Sequence, residues 1–113
     1  MVQYHRVELD RTFGALADPK RRAILERLGS SEATITELAE PFDISITGMK
    51  KHVGVLEEAG LVTTEKVGRA RRCRLAPRSL AEVEEWMESY RQILNARLDR
   101  FGELLERKKG ELT

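Results

Sequence analysis

The stretch that decides the fold runs from Ile44 to Val62 and reads ISITGMKKHVGVLEEAGLV. Ser45 is a strong helix N-cap, because its hydroxyl accepts from backbone N–H groups that have no partner in the first turn. Gly60 is a strong stop signal, because glycine takes the left-handed conformation after a helix without steric cost. Between them an apolar stripe recurs at helical spacing through Met49, Val53, Leu56 and Ala59. The pattern predicts an amphipathic helix over residues 44–60.

The exposed face of this predicted helix is small and basic in its first half. Its members are Thr47, Gly48, Lys50, Lys51 and His52, and no acidic residue follows until Glu57. A short helix with such residues at its N-terminal half suits insertion into a DNA major groove. We expect Thr47, Gly48, Lys50 and Lys51 to read or approach bases. His52 is expected to meet a phosphate or to pack locally.

A shorter helix is predicted immediately before it. Thr36 is expected to cap this helix and, with Ser45, to position phosphates, while Leu38 and Ala39 face inward. Pro41 lacks a backbone N–H and ends the helix within about a turn. Helix, tight turn and second helix with a polar outer face form a helix-turn-helix pattern. Two ordinary packed helices of a small domain are the alternative.

The pattern changes to strand after Gly60. Residues 61–67 are rich in β-branched side chains, which favour a pleated, half-buried surface. A turn over residues 68–70 leads into residues 71–75, where Cys73 and Leu75 point to one side and Arg72 and Arg74 to the other. The segment 61–76 is thus predicted to be a β-hairpin with a basic tip, the wing of a winged helix.

Positive charge is concentrated in this part of the chain, although the whole chain carries only +1. Between Ile44 and Leu75 there are seven basic and three acidic residues, whereas from Ser79 onward there are six basic and eight acidic. Phosphate neutralisation depends on local rather than total charge. We expect Arg69, Arg71 and Arg72 to grip the DNA backbone or minor groove. A solvated basic turn is the alternative.

A further helix begins at Asp18-Pro19, with Asp18 as its N-cap and Gly29 at its end. Its first turn holds three basic residues, Lys20, Arg21 and Arg22. Basic side chains there oppose the helix dipole, so an external anion such as the DNA backbone is a plausible partner. A partly paired surface cluster explains each of the three equally well.

The C-terminal region is predicted to be one long dimerisation helix over residues 79–109. Pro77 ends the wing before it, and Ser79 with Glu82 forms a capping box at its start. Its apolar stripe is too long for one small core to cover, and exposed patches of that size usually mark an interface. The predicted homodimer interface comprises Leu9, Phe13, Leu80, Val83, Met87, Tyr90, Leu94, Leu98, Phe101 and Leu105. A dimer would place two recognition helices about 34 Å apart, one DNA turn. The alternative is a helix folded back on its own monomer.

Length and composition fit a single winged-helix domain over residues 1–113. The chain is 41% hydrophobic and 35% charged, with one cysteine, no membrane-length apolar run and no secretory signal. A helix-rich protein of the reducing cytoplasm is expected. The predicted class is mainly α with a small β-hairpin, a winged helix-turn-helix whose N- and C-terminal helices form the dimer interface.

These residues resemble the ArsR family of bacterial winged-helix repressors. The segment from Met49 to Val62, MKKHVGVLEEAGLV, is similar to the family's VSKHLKVLEEAGLV, and Trp86…Tyr90-Arg91…Leu98-Asp99 is similar to the last helix of one branch. The resemblance implies a homodimer that binds operator DNA and blocks transcription until a signal releases it. Ile46-Thr47-Gly48 and Lys50 depart from the family pattern where bases would be read, so a different operator is expected. Leu94 replaces a family tryptophan.

The family's metal sensors carry Cys-x-Cys before the reading helix, or His and acidic ligands on the last helix. Neither set is present, and Cys73, His5 and His52 lie far apart in the sequence. A zinc or soft-metal site needs three or four converging ligands. We therefore expect no metal and no cofactor, placing the chain in the non-metal-sensing branch. A small-molecule site near Trp86 and Tyr90 is the alternative to a simple core role for these aromatics.

A protein-interaction module and an enzyme are the two alternatives to a repressor. A winged helix used as a protein-interaction module would turn the same basic face toward an acidic partner. An enzyme is rejected, because the chain shows no Ser-His-Asp arrangement, no glycine-rich phosphate loop and no paired histidines. The expected partners are therefore double-stranded operator DNA and a second copy of the chain, with no membrane. The residues identify no inducer.

Overall fold

The computed structural model describes residues 2–76 and 80–111, with side chains described over residues 9–76 and 80–110. Five helices and three strands follow one another: α1 Val2–Leu16, α2 Pro19–Leu28, β1 Ala33–Thr34, α3 Ile35–Ala39, α4 Ile46–Glu58, β2 Val62–Val67, β3 Ala70–Leu75 and α5 Leu80–Glu111. The predicted mainly helical class with a small antiparallel hairpin is confirmed. The predicted stop at Pro77 and the Ser79 cap lie outside the described residues.

Both ends of α4 are built as the sequence predicts. The Ser45 hydroxyl accepts from the backbone N–H of Gly48 at 3.0 Å. At the other end Gly60 has φ 76°, and its N–H donates to the Glu57 carbonyl at 2.9 Å. The N–H of Leu61 donates to the Leu56 carbonyl at 2.9 Å. This pair of bonds is the Schellman arrangement, which satisfies the last carbonyls of the helix and turns the chain into β2.

The cap of α3 was predicted at the wrong residue. Thr34, not Thr36, is the N-cap: its Oγ1 accepts from the Glu37 backbone N–H at 3.2 Å and lies 3.0 Å from the Glu37 carboxylate. Thr36 is an exposed residue inside the helix. The helix begins earlier because Thr34 and Glu37 pair at the capping-box spacing of three residues, through the backbone N–H and the carboxylate of Glu37.

The turn between α3 and α4 repeats the geometry that ends α4. Asp43 has φ 53°, its N–H donates to the Glu40 carbonyl, and the N–H of Ile44 donates to the Ala39 carbonyl, both at 3.2 Å. Aspartate tolerates the left-handed region better than most residues. This turn fixes where α4 starts relative to α3.

The core lies between α2, α3, α4 and the sheet. The predicted stripe of α4 is confirmed, since Met49, Val53, Leu56 and Ala59 are all buried. They join Ile24 and Leu28 of α2, Ile35 and Leu38 of α3, and Val62 and Cys73 of the sheet in one cluster. Burying so many apolar side chains holds α4 firmly, with its remaining faces directed outward.

The sheet has the order β1-β3-β2 and is antiparallel throughout. The strands β2 and β3 pair Thr64 with Cys73 and Lys66 with Arg71, and a two-residue turn starts at Gly68, which has φ 62°. The short strand β1 pairs Ala33 with Cys73 and was not predicted. Two residues are too few to show a strand period. Because side chains alternate, Thr64, Lys66, Arg71 and Cys73 share one face of the hairpin.

The elements up to Val83 form one compact unit, and the remainder of α5 from Glu84 forms another. The helix α5 contains 32 residues and is about 48 Å long at 1.5 Å per residue. None of the helices in the described ranges is both long enough and apolar enough to span a membrane.

Candidate nucleic-acid interface

Two exposed faces of α4 carry the predicted reading residues. Thr47 and Lys51, one turn apart, are exposed on the outer face. Lys50 is also exposed, but it lies on the face that lines the space between α4 and the hairpin. His52 is half-buried. Of the five residues predicted from the sequence, three are exposed, and Lys50 is the one that lines this space.

Gly48 lies close beneath the helix cap and is only half-exposed. A Cβ atom added to it would meet the Ile44 Cγ2 at 3.0 Å and the Ser45 Oγ at 3.1 Å. These distances are tighter than ordinary van der Waals contact. Glycine at position 48 therefore lets Ile44 and Ser45 pack closely at the cap. The role predicted from the sequence was a different one, the close approach of the helix to bases.

A groove of about 520 Å³ separates α4 from the hairpin. Residues of α3, α4 and both strands of the hairpin line it: Thr34, Ile35, Thr36, Ile46, Lys50, Val53, Gly54, Glu57, Thr64, Lys66, Arg69, Ala70 and Arg71. Four of these side chains are cations, contributed by α4, β2, the turn and β3. Among these lining residues Glu57 is the one acid. The groove is therefore strongly positive.

Lys66 is one of the seven basic residues between Ile44 and Leu75, but it was not predicted as a site residue. The register pairs Lys66 with Arg71, which puts both side chains on the groove face. The signal was present in the sequence, because alternation along a hairpin with a two-residue turn places paired residues on the same face.

Arg72 lies on the other face of the hairpin from Arg71. Its guanidinium lies 4.0 Å from the Glu32 carboxylate, and both side chains are about half-exposed. On that same face Arg74 donates to the Thr63 hydroxyl at 3.2 Å. The three predicted wing arginines are thus divided, with Arg69 and Arg71 lining the groove and Arg72 outside it.

Two linked hydrogen bonds run across the groove face, one within the hairpin and one from the hairpin to α4. The Arg71 guanidinium donates to the Thr64 hydroxyl at 2.6 Å, and that hydroxyl donates to the Glu57 carboxylate at 2.6 Å. These two bonds connect β3 to β2 and β2 to α4. Neither Thr64 nor Glu57 was singled out from the sequence as a site residue.

The basic first turn of α2 is largely used inside the protein. Arg21 donates to the carbonyls of Ala15 at 2.8 Å and Gly14 at 3.1 Å, and its guanidinium lies 3.5 Å from Asp18. Arg22 donates to the Leu16 carbonyl at 2.7 Å. These arginines satisfy the carbonyls at the end of α1, as basic side chains near a helix C-terminus do. Arg21 and Arg22 thus have partners within the protein, as the alternative of a partly paired surface cluster predicts. The side chain of Lys20 is exposed.

The pKa of Asp18 is lowered, chiefly by its hydrogen bond from the Lys20 backbone N–H, with smaller contributions from the Arg21 backbone hydrogen bond and the charges of Arg21 and His52. The cap of α2 is therefore anionic at neutral pH. Burial raises the pKa of the Cys73 thiol to about 11. Within residues 2–76 and 80–111 no three His, Cys, Asp or Glu side chains are grouped so as to hold a metal ion.

Most of the predicted dimer residues are exposed in the single chain. Leu9 is half-buried, whereas the following are exposed: Phe13, Leu80, Met87, Tyr90, Leu94, Leu98, Phe101 and Leu105. Trp86 and Tyr90 stack with ring centroids 5.6 Å apart. Val83 differs, because it is only 6% exposed and offers little area to a partner.

Known proteins share both the sequence and the fold. Residues 16–65 match a helix-turn-helix domain family. The HTH-type transcriptional regulator Rv2034 of Mycobacterium tuberculosis is 36% identical over 72% of this chain and 76% of its own length. The transcriptional repressor SdpR of Bacillus subtilis is 28% identical over 73% and 91%. The crystal structure of the ArsR family transcriptional regulator RHA00566 is 39% identical, superimposes with a TM-score of 0.76, and covers 80% of this chain and 93% of its own.

The similarity to Rv2034 and to RHA00566 exceeds 30% identity and spans more than two thirds of each relative. The matched helix-turn-helix domain, residues 16–65, includes α2, α3, α4 and the start of β2. This chain belongs to the ArsR family of helix-turn-helix transcriptional regulators.

Proposed function

We propose that the chain is a homodimeric, sequence-specific repressor that holds one strand of operator DNA in the groove between α4 and the hairpin. The observation that carries the proposal is the set of four cations, Lys50, Lys66, Arg69 and Arg71, converging on that groove from separate elements. Cations fixed on separate rigid elements can neutralise successive phosphates and release their counterions. The N-terminus of α4 adds a favourable dipole.

Base recognition is proposed for the outer face of α4. Thr47 and Lys51 are exposed there, and both can donate hydrogen bonds to base edges in a major groove. Lys50 is proposed to contact phosphate, because it lies on the groove face with Arg71. Lys20, exposed at the start of α2, and Thr36 on α3 would contact phosphates at the rim. Arg21, Arg22 and Arg72 are left out, because the structure gives them other partners.

The homodimer is proposed to form through α5. The exposed apolar residues of this helix recur at helical spacing, so they form one stripe along its length. Monomeric proteins rarely leave apolar patches of such extent in water. A second copy of the chain would bury the stripe and present two recognition helices to one duplex. The competing arrangement, in which α5 covers a surface of its own chain, would yield a monomer.

A direct test uses the full chain and a fluorescent duplex from the region upstream of its own gene. We expect sequence-specific binding, seen as fluorescence anisotropy that survives excess random competitor DNA, together with a dimer mass by light scattering. Equal binding to operator and random duplexes would instead favour the protein-interaction module. A monomer at binding concentrations would contradict the α5 interface.

We further propose that the repressor acts in the cytoplasm without catalysis, cofactor or metal. The presence of a single cysteine supports metal independence, because a thiolate zinc or soft-metal site needs several converging ligands. A transcription assay on the operator, with and without added zinc, tests this. Repression in chelated buffer is expected, and zinc-dependent release would contradict it.

A further inference from the structure

The groove contains one residue whose charge opposes the DNA backbone. Glu57 is the acid among lining residues that include Lys50, Lys66, Arg69 and Arg71. Because a phosphate in this groove would approach an uncompensated carboxylate unfavourably, Glu57 cannot be there to raise general DNA affinity. Its contact with the hairpin suggests a different role.

The hydrogen bonds at Glu57 have a fixed direction. A carboxylate can only accept hydrogen bonds, so the Thr64 hydroxyl donates its one proton to the Glu57 Oε2, 2.6 Å away. The hydroxyl must therefore accept from the Arg71 Nη1, also at 2.6 Å. Thr64 thus links the Glu57 carboxylate on α4 to the Arg71 guanidinium on β3, so the position of one constrains the position of the other.

The arrangement leaves Arg71 able to bind DNA. A guanidinium has five N–H donors, of which the bond to Thr64 uses one. The remaining donors can contact a phosphate, while the bond to Thr64 limits the rotamers of a long and flexible side chain. Ordering such a side chain before binding reduces the entropy that binding must remove.

We propose that Glu57, acting through Thr64, is a positioning residue that fixes Arg71 against α4 and thereby raises the preference for operator over non-specific DNA. This inference rests on the proposed DNA-binding function. When α4 is seated in the correct major groove, the oriented Arg71 meets a phosphate. When α4 is out of register, Arg71 is misplaced and the Glu57 carboxylate repels the backbone, a repulsive element of the kind that specificity requires.

The test compares operator and scrambled duplexes of equal length, with dissociation constants measured by fluorescence anisotropy at matched salt. Thr64→Val removes the hydroxyl while keeping a β-branched strand residue and every charge. We expect it to lower operator affinity about two- to tenfold, the range for one lost hydrogen bond, with scrambled affinity nearly unchanged. Thr64→Ser keeps the hydroxyl and should recover the preference.

A double-mutant cycle separates positioning from general structural damage. If Thr64 acts through Arg71, Thr64→Val should add almost nothing in the Arg71→Ala background. Additive losses, or an unchanged operator preference in Thr64→Val, would overturn the proposal. If Thr64→Val fails to give the wild-type circular dichroism spectrum, the Thr64→Ala and Arg71→Ala cycle, which also leaves the Glu57 charge in place, decides by the same criterion. Failure of the wild-type chain itself to prefer operator would refute the proposed function instead.

Discussion

Arg71 and Arg72 are consecutive in the sequence, but their side chains leave the hairpin on opposite faces. Arg71 lines the groove beside α4 and is hydrogen-bonded to Thr64, whereas Arg72 lies near Glu32. Equal charge at adjacent positions therefore has unequal access to anything bound in the groove. This pair offers a charge-matched test of the proposed DNA path.

We expect Arg71→Ala to weaken operator binding and to reduce the salt slope, the dependence of log affinity on log salt, by about 1. One phosphate contact and its released counterion are lost. Arg72→Ala removes the same charge from the other face and should cause a clearly smaller change in both quantities. Anisotropy titrations at several salt concentrations measure this. Equal losses for the two variants would mean that the DNA does not follow the groove.

Prediction from sequence succeeded where local signals and burial agree. The Ser45 cap, the buried stripe beginning at Met49 and the stop at Gly60 all follow from residue types at fixed spacing, and all are present. It failed at α3, where the cap was predicted at Thr36 and the structure has it at Thr34. Thr34 is followed three residues later by Glu37, with which it pairs, whereas Thr36 is followed by Ala39, so the signal that decided the cap was present in the sequence.

The candidate site was predicted less completely than the fold. Counting charge along the chain brought together Arg71 and Arg72, which the strand period separates. It also left DNA contact and internal pairing equally open for Arg21, whose donors the end of α1 uses. Charge patterns reveal how many cations a segment carries, but pairing across elements decides which of them remain at a surface.

Gly54 provides a prediction in which stability and binding change in opposite directions. It lies inside α4 on the groove wall, and a Cβ atom added there would meet nothing within 4 Å. Gly54→Ala should stabilise the fold by about 0.8–1 kcal/mol through helix propensity, while the added methyl narrows the groove and weakens operator binding. Gly102→Ala in α5, also open, is the control and should stabilise without that loss. Thermal melts and titrations of both variants test the expectation.

The basic turn of α2 should separate structural from binding roles. Arg21→Ala removes the donors to the Ala15 and Gly14 carbonyls from a side chain that is 17% exposed. We expect a loss of about 1–2 kcal/mol in unfolding free energy, reduced from the full value of charged hydrogen bonds by partial solvent exposure. Lys20→Ala should leave the urea midpoint near wild type but lower the salt slope of DNA binding. If Arg21→Ala instead lowered the salt slope without loss of stability, and Lys20→Ala lowered the stability, Arg21 would be a DNA-contacting residue.

Leu98 lies in the middle of the exposed stripe of α5, and Ala96 lies on the opposite side of the helix by its 100° spacing. Leu98→Glu places a charge in the proposed dimer interface and should shift the light-scattering mass from dimer toward monomer. Ala96→Glu adds the same charge at an exposed position and should leave the dimer intact. If both variants remain dimeric, the α5 stripe is not the interface.

Cys73 should be nearly inert to alkylation while the protein is folded. It is completely buried, and burial raises the pKa of its thiol to about 11 from an ordinary value of 9.0. The thiolate is the reactive form, so iodoacetamide at pH 8 should label the native protein on the order of 100-fold more slowly than the urea-unfolded chain. Mass spectrometry of timed samples measures both rates, and comparable rates would contradict the burial.

The same shift predicts an alkaline loss of stability. Because the folded pKa of Cys73 exceeds the unfolded one, its stabilising contribution is complete below about pH 9 and disappears as the pH rises through about 11. Other groups titrate in this range, so the comparison must be differential. The unfolding free energy of wild type should fall more steeply between pH 9 and 11 than that of Cys73→Ala. Parallel profiles would show that the thiol ionises in the folded protein without cost.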